Sequence, residues 1–425
     1  MHVLRPWFFR PFLAASLCAA ATLPSAFAAA PDAAASATAV TSLQEWLVLP
    51  RDGRPALATA PFAASALTKA DAARAKDLLY QDHLAFIRAT RADEMQAKRI
   101  ELNGLTMKFD ILMAGTKPDG GHSLFISMHG GGNAPPQVND RQWANQLRLG
   151  EKYQPKEGVY LAPRAPTDTW NLWHQAHIDA FFDRLIENLI ALEGINPNRV
   201  FILGYSAGGD GVYQLAPRLA DRLAAASMMA GHPNETSPLG LRNIGFALHM
   251  GALDSAYRRN EIAAEWGKAL ADLRAADPAG YAHQVEIHAG KGHWMELEDR
   301  KAVPWMETFT RNPRPSKVVW KQDDVTHDRF YWVAVDPFQA KAGDEIVATR
   351  DGATITLQTS RPLAVSLLLD DAMLDADQPV TVTQDGQVVF SGPVTRTIST
   401  LQQTLHGRGQ SDLMFPVRLD VPPPR

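Results

Sequence analysis

The apolar run Val200-Phe201-Ile202-Leu203 leads without a break into Gly204-Tyr205-Ser206-Ala207-Gly208, and Gly209 and Gly211 follow. This arrangement leaves few options. The run reads as a buried strand, the serine as the tip of a sharp turn, and the glycines as what lets strand and following helix approach without Cβ clashes. A G-x-S-x-G pattern between a strand and a helix exposes a serine hydroxyl, and the chemistry that uses such a hydroxyl is acyl transfer.

A second segment supports that reading. Ser123 to Met128 has the composition of a buried strand and runs straight into His129-Gly130-Gly131-Gly132. Such a loop supplies backbone N–H donors, and a developing oxyanion needs two: one from the residue after the nucleophile, Ala207, and one from this loop, with Gly131 the first choice and Gly130 the second. Acid and base candidates follow later in the chain. Ile244 to Met250 reads as a core strand with Asp254 just past its end; Gln284 to Ala289 alternates like a sheet-edge strand, and Gly290-Lys291-Gly292-His293-Trp294 follows it. In a parallel sheet the carboxyl ends of strands lie on one side, so Ser206, Asp254 and His293 converge. Chemistry then assigns their roles: His293 accepts the serine proton, and Asp254 fixes the imidazole tautomer and stabilises the imidazolium. Asp210, in the first helical turn after Ser206, reads instead as a complement to the helix dipole. His249 and His288 read as packing histidines, and His129 as a hydrogen bonder behind the oxyanion loop.

On these stretches, Ser127 to Gly132, Val200 to Gly211, Leu248 to Asp254 and Gly290 to Trp294, the chain resembles the α/β-hydrolase superfamily. Residues from about 100 to 312 are similar to secreted carboxylesterases of the poly(3-hydroxybutyrate) depolymerase, feruloyl esterase and prolyl-oligopeptidase-like groups. The resemblance implies a doubly wound, mostly parallel sheet of eight strands with helices on both faces, and ester or amide hydrolysis through an acyl-enzyme without a cofactor. A peptidase role is the second reading, set back by the absence of any propeller repeat before the catalytic region. A binding protein that keeps the fold without its chemistry is the third, opposed by the complete set of Ser206, Asp254 and His293.

The N-terminus carries Arg5 and Arg10, an apolar stretch from Pro11 to Leu23 and then Ser25-Ala26-Phe27-Ala28. These are the parts of a secretory signal, and the apolar stretch is shorter than the roughly 20 residues of a membrane span. Cleavage after Ala28 and a periplasmic or extracellular protein are expected, with no membrane span in the mature form. Cys18 is the only cysteine and lies within this segment, so the mature chain forms no disulfide of its own. A net charge of -4 over 425 residues offers no electrostatic case for nucleic acid. The expected partner is a small-molecule or polymeric ester; oligomeric state is not legible.

Four segments are expected: the signal at 1–28, a leader with N-terminal helices at 29–104, the α/β catalytic domain at 105–312, and a C-terminal all-β accessory domain at 313–425. Pro31 to Ala39, rich in alanine, reads as a flexible leader, and Lys69 to Lys98 as one or two amphipathic helices that pack on the body or form a lid. Leu105 to Ile111 and Val159 to Ala162 read as strands, Ile178 to Leu192 as a helix with one buried face, and Gly211 to Ala226 as the helix behind the nucleophile. After Pro313 strand follows strand, with Asp351-Gly352 and Asp385-Gly386 as hairpin turns. Trp170, Trp173, His174 and His177 crowd one loop, where indoles would wall a substrate pocket or anchor the loop. Trp170, Trp173, Trp294 and His129 are the candidate substrate-binding residues. His174 and His177 have helical metal-pair spacing but no third ligand nearby in sequence, so no metal is expected.

Overall fold

The computed structural model describes residues 31–423. The expected signal, Cys18 and the last two residues of the proline-rich end lie outside the described residues.

The described residues start with helices α1 (Ala33–Val48), α2 (Lys69–Thr90) and the short α3 (Ala92–Gln96). Pro31 to Ala39 is therefore not a flexible leader. Asp32 caps α1 by accepting from the amides of Ala34 and Ala35, and alanine, the strongest helix former, carries the helix on from there. Next come β1 (Arg99–Leu102), β2 (Leu105–Ala114), β3 (His122–Met128), α4 (Pro136–Tyr153), β4 (Gly158–Arg164), α5 (Ala176–Glu193), β5 (Ile195–Tyr205), α6 (Ala207–Arg218), β6 (Ala225–Met229), β7 (Gly245–Gly251), α7 (Arg259–Ala276), β8 (His283–His288) and α8 (Ala302–Met306). The strands form one eight-stranded sheet in the order β1-β2-β4-β3-β5-β6-β7-β8. From β4 through to β8 neighbours run parallel, while β2 is antiparallel to both β1 and β4.

Every residue of β3, β4, β6 and β7 is buried, because helices cover both faces, and this is why those strands read as unbroken apolar runs. The edge strand β8 alternates less cleanly and exposes Ile287. The helix behind Ser206 runs from Ala207 to Arg218 and not from Gly211 to Ala226. It starts directly after Ser206, and beyond Arg218 the chain makes one tight turn at Ala220–Arg222 and then pairs as β6, with Ala225 opposite Phe201.

The remainder holds β9 (Lys317–Lys321), β10 (Arg329–Phe330), β11 (Val333–Ala334), β12 (Glu345–Asp351), β13 (Thr354–Thr359), β14 (Val365–Leu369), β15 (Val380–Gln384), β16 (Gln387–Gly392), α9 (Ile398–Arg408) and β17 (Val417–Val421). Two sheets result, β10-β11-β14-β17 and β16-β15-β13-β12-β9. Both hairpin turns form, Asp351 pairing with Thr354 and Gln384 with Gln387. The segment Arg329 to Val335 is two short strands and not one, because Tyr331 takes a left-handed φ of 54° and reverses the chain. Tyr331 is buried and donates to the carbonyl of Ala220 at 2.8 Å, which ties the β region to the end of α6.

Helices α1 and α2 pack with α9: Val40, Leu43, Leu67, Ala75 and Leu79 share one apolar cluster with Ile398, Leu401, Leu405 and Met414. The opposite side of α2 meets α5 through Leu84, Ile87 and Ala191. No residue of α1 or α2 lines a cavity beside Ser206, so they brace the molecule and do not roof the crevice. Among the described residues no helix is long and apolar enough to cross a membrane.

Candidate active site

Ser206 stands between β5 and α6 with φ 59° and ψ −121°, a conformation that side chains rarely adopt. The surrounding glycines are what permit it. A Cβ on Gly204 would lie 2.2 Å from the carbonyl oxygen of Gly208, and one on Gly208 would lie 2.1 Å from that of Met128. Either side chain would push strand and helix apart and take the hydroxyl out of the crevice.

The imidazole of His293 meets this hydroxyl, with Nε2 3.0 Å from Oγ of Ser206, and its Nδ1 is 2.7 Å from Oδ2 of Asp254. Asp254 is buried after β7; His293 is half exposed on the loop after β8. The arrangement fixes the tautomer: Nδ1 carries the proton and donates to Asp254, and Nε2 is left to accept from Ser206. Tyr205, the residue before the serine, holds the histidine loop by donating to the carbonyl of His293 at 2.6 Å and accepting from the amide of Met295 at 2.9 Å. That role of Tyr205 was not read from the sequence, although it lies inside the motif.

The loop after β3 is clamped at both ends. The amide of Ala165 donates to Nε2 of His129 at 3.2 Å, so Nδ1 of His129 carries the proton and donates to the carbonyl of Gly130 at 2.6 Å. Burial pushes the His129 imidazole down to about 4, which keeps it neutral. Asn139 in α4 accepts from the amide of Gly132 at 2.9 Å and donates to Asp168 at 2.7 Å. Gly131 has φ 108°. Among the described residues no protein acceptor takes the amides of Gly130, Gly131 or Ala207, which leaves them available to a ligand beside Ser206.

Two cavities open on either side of the serine. The larger, about 730 Å³, is lined by Val138, Leu149, Tyr205, Trp294 and Leu297 together with Ser206 and His293. The smaller, about 330 Å³, is more polar and is lined by Ala207, Asp210, His232, Asn234, Tyr257 and Arg259 as well as by Trp170. Trp170 and Trp294, candidates from the sequence, thus border the crevice on opposite sides. Trp173 and His129 do not. Trp173 is fully buried, packs against Phe182 and donates to the carbonyl of His129 at 2.9 Å, and His129 is equally buried, so both position the glycine loop after β3 and neither lines the crevice. A cluster of indoles in a loop has no feature in sequence that separates the one turned inward from the one turned outward.

Asp210 lies in the first turn of α6, the place expected of a dipole partner, but sheltered from solvent. Burial raises its carboxyl to about 6, against the lowering effect of the His232 amide, which it accepts at 2.6 Å, and of Arg259. His249 and His288 face each other, Nδ1 to Nε2 at 3.2 Å, and with Glu286 bring three potential ligand atoms within 4.8 Å of one another. Their rings lie only 16° from parallel. His174 and His177 belong to no such cluster among the described residues.

No protein-family model matches the chain, and no curated protein does. Among solved structures it is similar to the BES protein from Bacillus cereus, at 12% identity over 49% of this chain and 92% of that one, with a TM-score of 0.37. It is also similar to a thermostable esterase, at 19% identity over 50% and 62% of the two chains with a TM-score of 0.38, and to the carboxylesterase from Mesorhizobium loti, at 16% identity over 49% and 99% with a TM-score of 0.35. Likeness this low adds nothing to what the strand order says by itself. That order, with its single reversed strand β2 inside an otherwise parallel run and a serine at the carboxyl end of β5, is the α/β-hydrolase fold, carrying a C-terminal region built mainly of β-sheet.

Proposed function

We propose that this chain is a serine hydrolase that cleaves carboxylic esters through an acyl-enzyme, with Ser206 as nucleophile, His293 as general base and acid, and Asp254 as its orienting carboxylate. The reading is carried by one observation, the continuous relay from Ser206 Oγ through His293 to Asp254 at 3.0 and 2.7 Å at the mouth of an apolar cleft. In the first half-reaction Oγ forms a bond to the ester carbonyl carbon while its proton passes to Nε2. The carbonyl oxygen gains the negative charge and turns to the amides of Ala207 and Gly131, with Gly130 alongside. The bond to the alcohol oxygen then breaks, and that oxygen takes the proton from Nε2. Water repeats the sequence on the acyl-enzyme and frees the acid, returning the serine. Asp254 keeps its charge throughout and offsets that of the imidazolium. No step calls for a cofactor.

Export through a cleaved signal at residues 1–28 belongs to the same proposal and rests on sequence alone. The test of the chemistry is direct. A fluorophosphonate probe should label the wild type on Ser206, and Ser206→Ala should abolish labelling and reduce ester turnover on the order of a thousandfold or more. Undiminished turnover in that variant, or labelling on another residue, refutes the assignment.

A further inference from the structure

Arg259 differs from every other sheltered arginine among the described residues. Arg54, Arg164, Arg218, Arg222, Arg242, Arg311, Arg329, Arg396 and Arg408 all donate to named carboxylates or carbonyls. The side chain of Arg259 is only 13% exposed, and it donates to no protein acceptor among the described residues; Arg218, Arg222 and Arg350 also carry one unpartnered nitrogen, but each donates through another. The nearest carboxylate oxygen, Oδ1 of Asp254, stands 3.9 Å away, beyond hydrogen-bond reach, and the other oxygen of that group is held by His293. Asp210, the carboxyl that lines this cavity, accepts the amide of His232 through Oδ1 and feels the charge of Arg259 without a hydrogen bond to it. What holds Arg259 is an aromatic face: its guanidinium carbon lies 4.8 Å from the ring centre of Tyr257, a contact that uses none of its N–H donors.

Tyr257 and Arg258 are successive residues at φ 55° and 57°, left-handed without being glycine, and they bring Tyr257 against Arg259 at the start of α7. A flat cation, oriented by stacking and with its donors unspent, matches a planar two-oxygen anion.

We propose that the smaller cavity binds a carboxylate carried on the acyl half of the substrate, with Arg259 as its counter-ion, so that the preferred esters are monoesters of dicarboxylic acids. This rests on the esterase reading above. The assignment to the acyl half follows from where the proton goes: the departing oxygen must be reached by Nε2 of His293, and His293 lines the larger cleft and not the smaller cavity. The alcohol half therefore leaves through the apolar cleft, and the acyl half occupies the side of Ala207 and Arg259.

The test compares kcat/KM of the full chain for the mono-para-nitrophenyl ester of adipic acid with that for its neutral methyl-capped counterpart, which has the same leaving group and chain length. The wild type should prefer the acid, and Arg259→Gln should lower the ratio of the two about tenfold, with Arg259→Lys recovering part of it. A ratio unchanged by Arg259→Gln overturns the proposal. So does a preference that appears only when the carboxylate is on the alcohol half, as in para-carboxyphenyl butyrate. Binding is read separately from turnover by calorimetric titration of adipate into Ser206→Ala protein. Adipate that binds this protein and fails to bind the Ser206→Ala, Arg259→Gln double variant supports the proposal even if no ester is cleaved and the esterase reading falls. Absence of adipate binding to the single variant overturns the proposal even if that reading stands.

Discussion

Asp210 shows how one residue beside the nucleophile couples stability to pH. Its folded-state value of about 6 lies above the ordinary 3.8, because burial penalises the charge more than the His232 amide and Arg259 compensate it. The folded protein therefore binds this proton more tightly than the unfolded chain does. The stabilisation is complete below about pH 4 and is lost as pH rises through about 6. Asp210→Asn keeps an acceptor for the His232 amide and removes the ionisation. Urea denaturation should show the variant gaining on the wild type between about pH 4 and 6, by about 2–3 kcal/mol at the plateau above that range. A difference that is flat with pH would contradict this account. The same side chain also marks where sequence runs short. That Asp210 lies in the first turn of α6 was legible; that the turn is buried under the loop carrying His232 was not, since burial here comes from a segment twenty-two positions away.

At the scale of elements, the oxyanion loop and α4 act as a unit. Asn139 in α4 holds the amide of Gly132, and the same helix lends Val138 and Leu149 to the apolar cleft. A side chain on Gly131 would place its Cβ 2.2 Å from Oδ1 of Asn139, on a backbone whose φ of 108° disfavours any L side chain. On the proposed mechanism, Gly131→Ala should thus displace the loop and lower kcat by about 10²–10³-fold, the cost of losing one oxyanion donor, and the strained backbone and the clash should lower the thermal midpoint as well. Kinetics with para-nitrophenyl butyrate alongside a melting curve checks both halves of the expectation. The loop itself was legible, because a glycine run after a buried strand has few other uses. The helix α4 was not, since its cleft-facing and solvent-facing residues are both largely polar, Gln142, Asn145 and Gln146 among them, and no apolar stripe announces it. Likewise the strands before Ser206 and Asp254 stood out as apolar runs and the one before His293 by its alternation, whereas Tyr257 and Arg259 owe their placement to left-handed backbone that leaves no mark in composition.

At the scale of the whole molecule, charge as well as apolar surface fastens the catalytic sheet to the C-terminal region. Asp221 is fully buried; burial alone would raise its carboxyl, but Arg408, Arg222 and Arg329 hold it low, and Arg408 binds it at 2.9 Å. Arg311 adds a bond to its carbonyl. Removing one side of such a group strands the other in a dry interior, which is strongly destabilising. Truncation after residue 397, which deletes α9 and β17, should therefore yield a chain whose N-terminal helices are cut readily by trypsin and whose cooperative unfolding transition is lost. Retention of a protease-resistant, active core would show that the catalytic sheet stands alone. From sequence the C-terminal region read as strands only. α9 escaped notice because its buried residues, Ile398, Leu401 and Leu405, meet partners more than three hundred positions earlier, in α1 and α2.

That meeting of first and last helices sets an order of events in the life of the chain. Val40 and Leu43 have no complete shelter until Leu401 and Leu405 have been synthesised, so helix α1 is among the last of the described elements to find its place. A polypeptide closed in this way completes its helical brace only after α9 has been made.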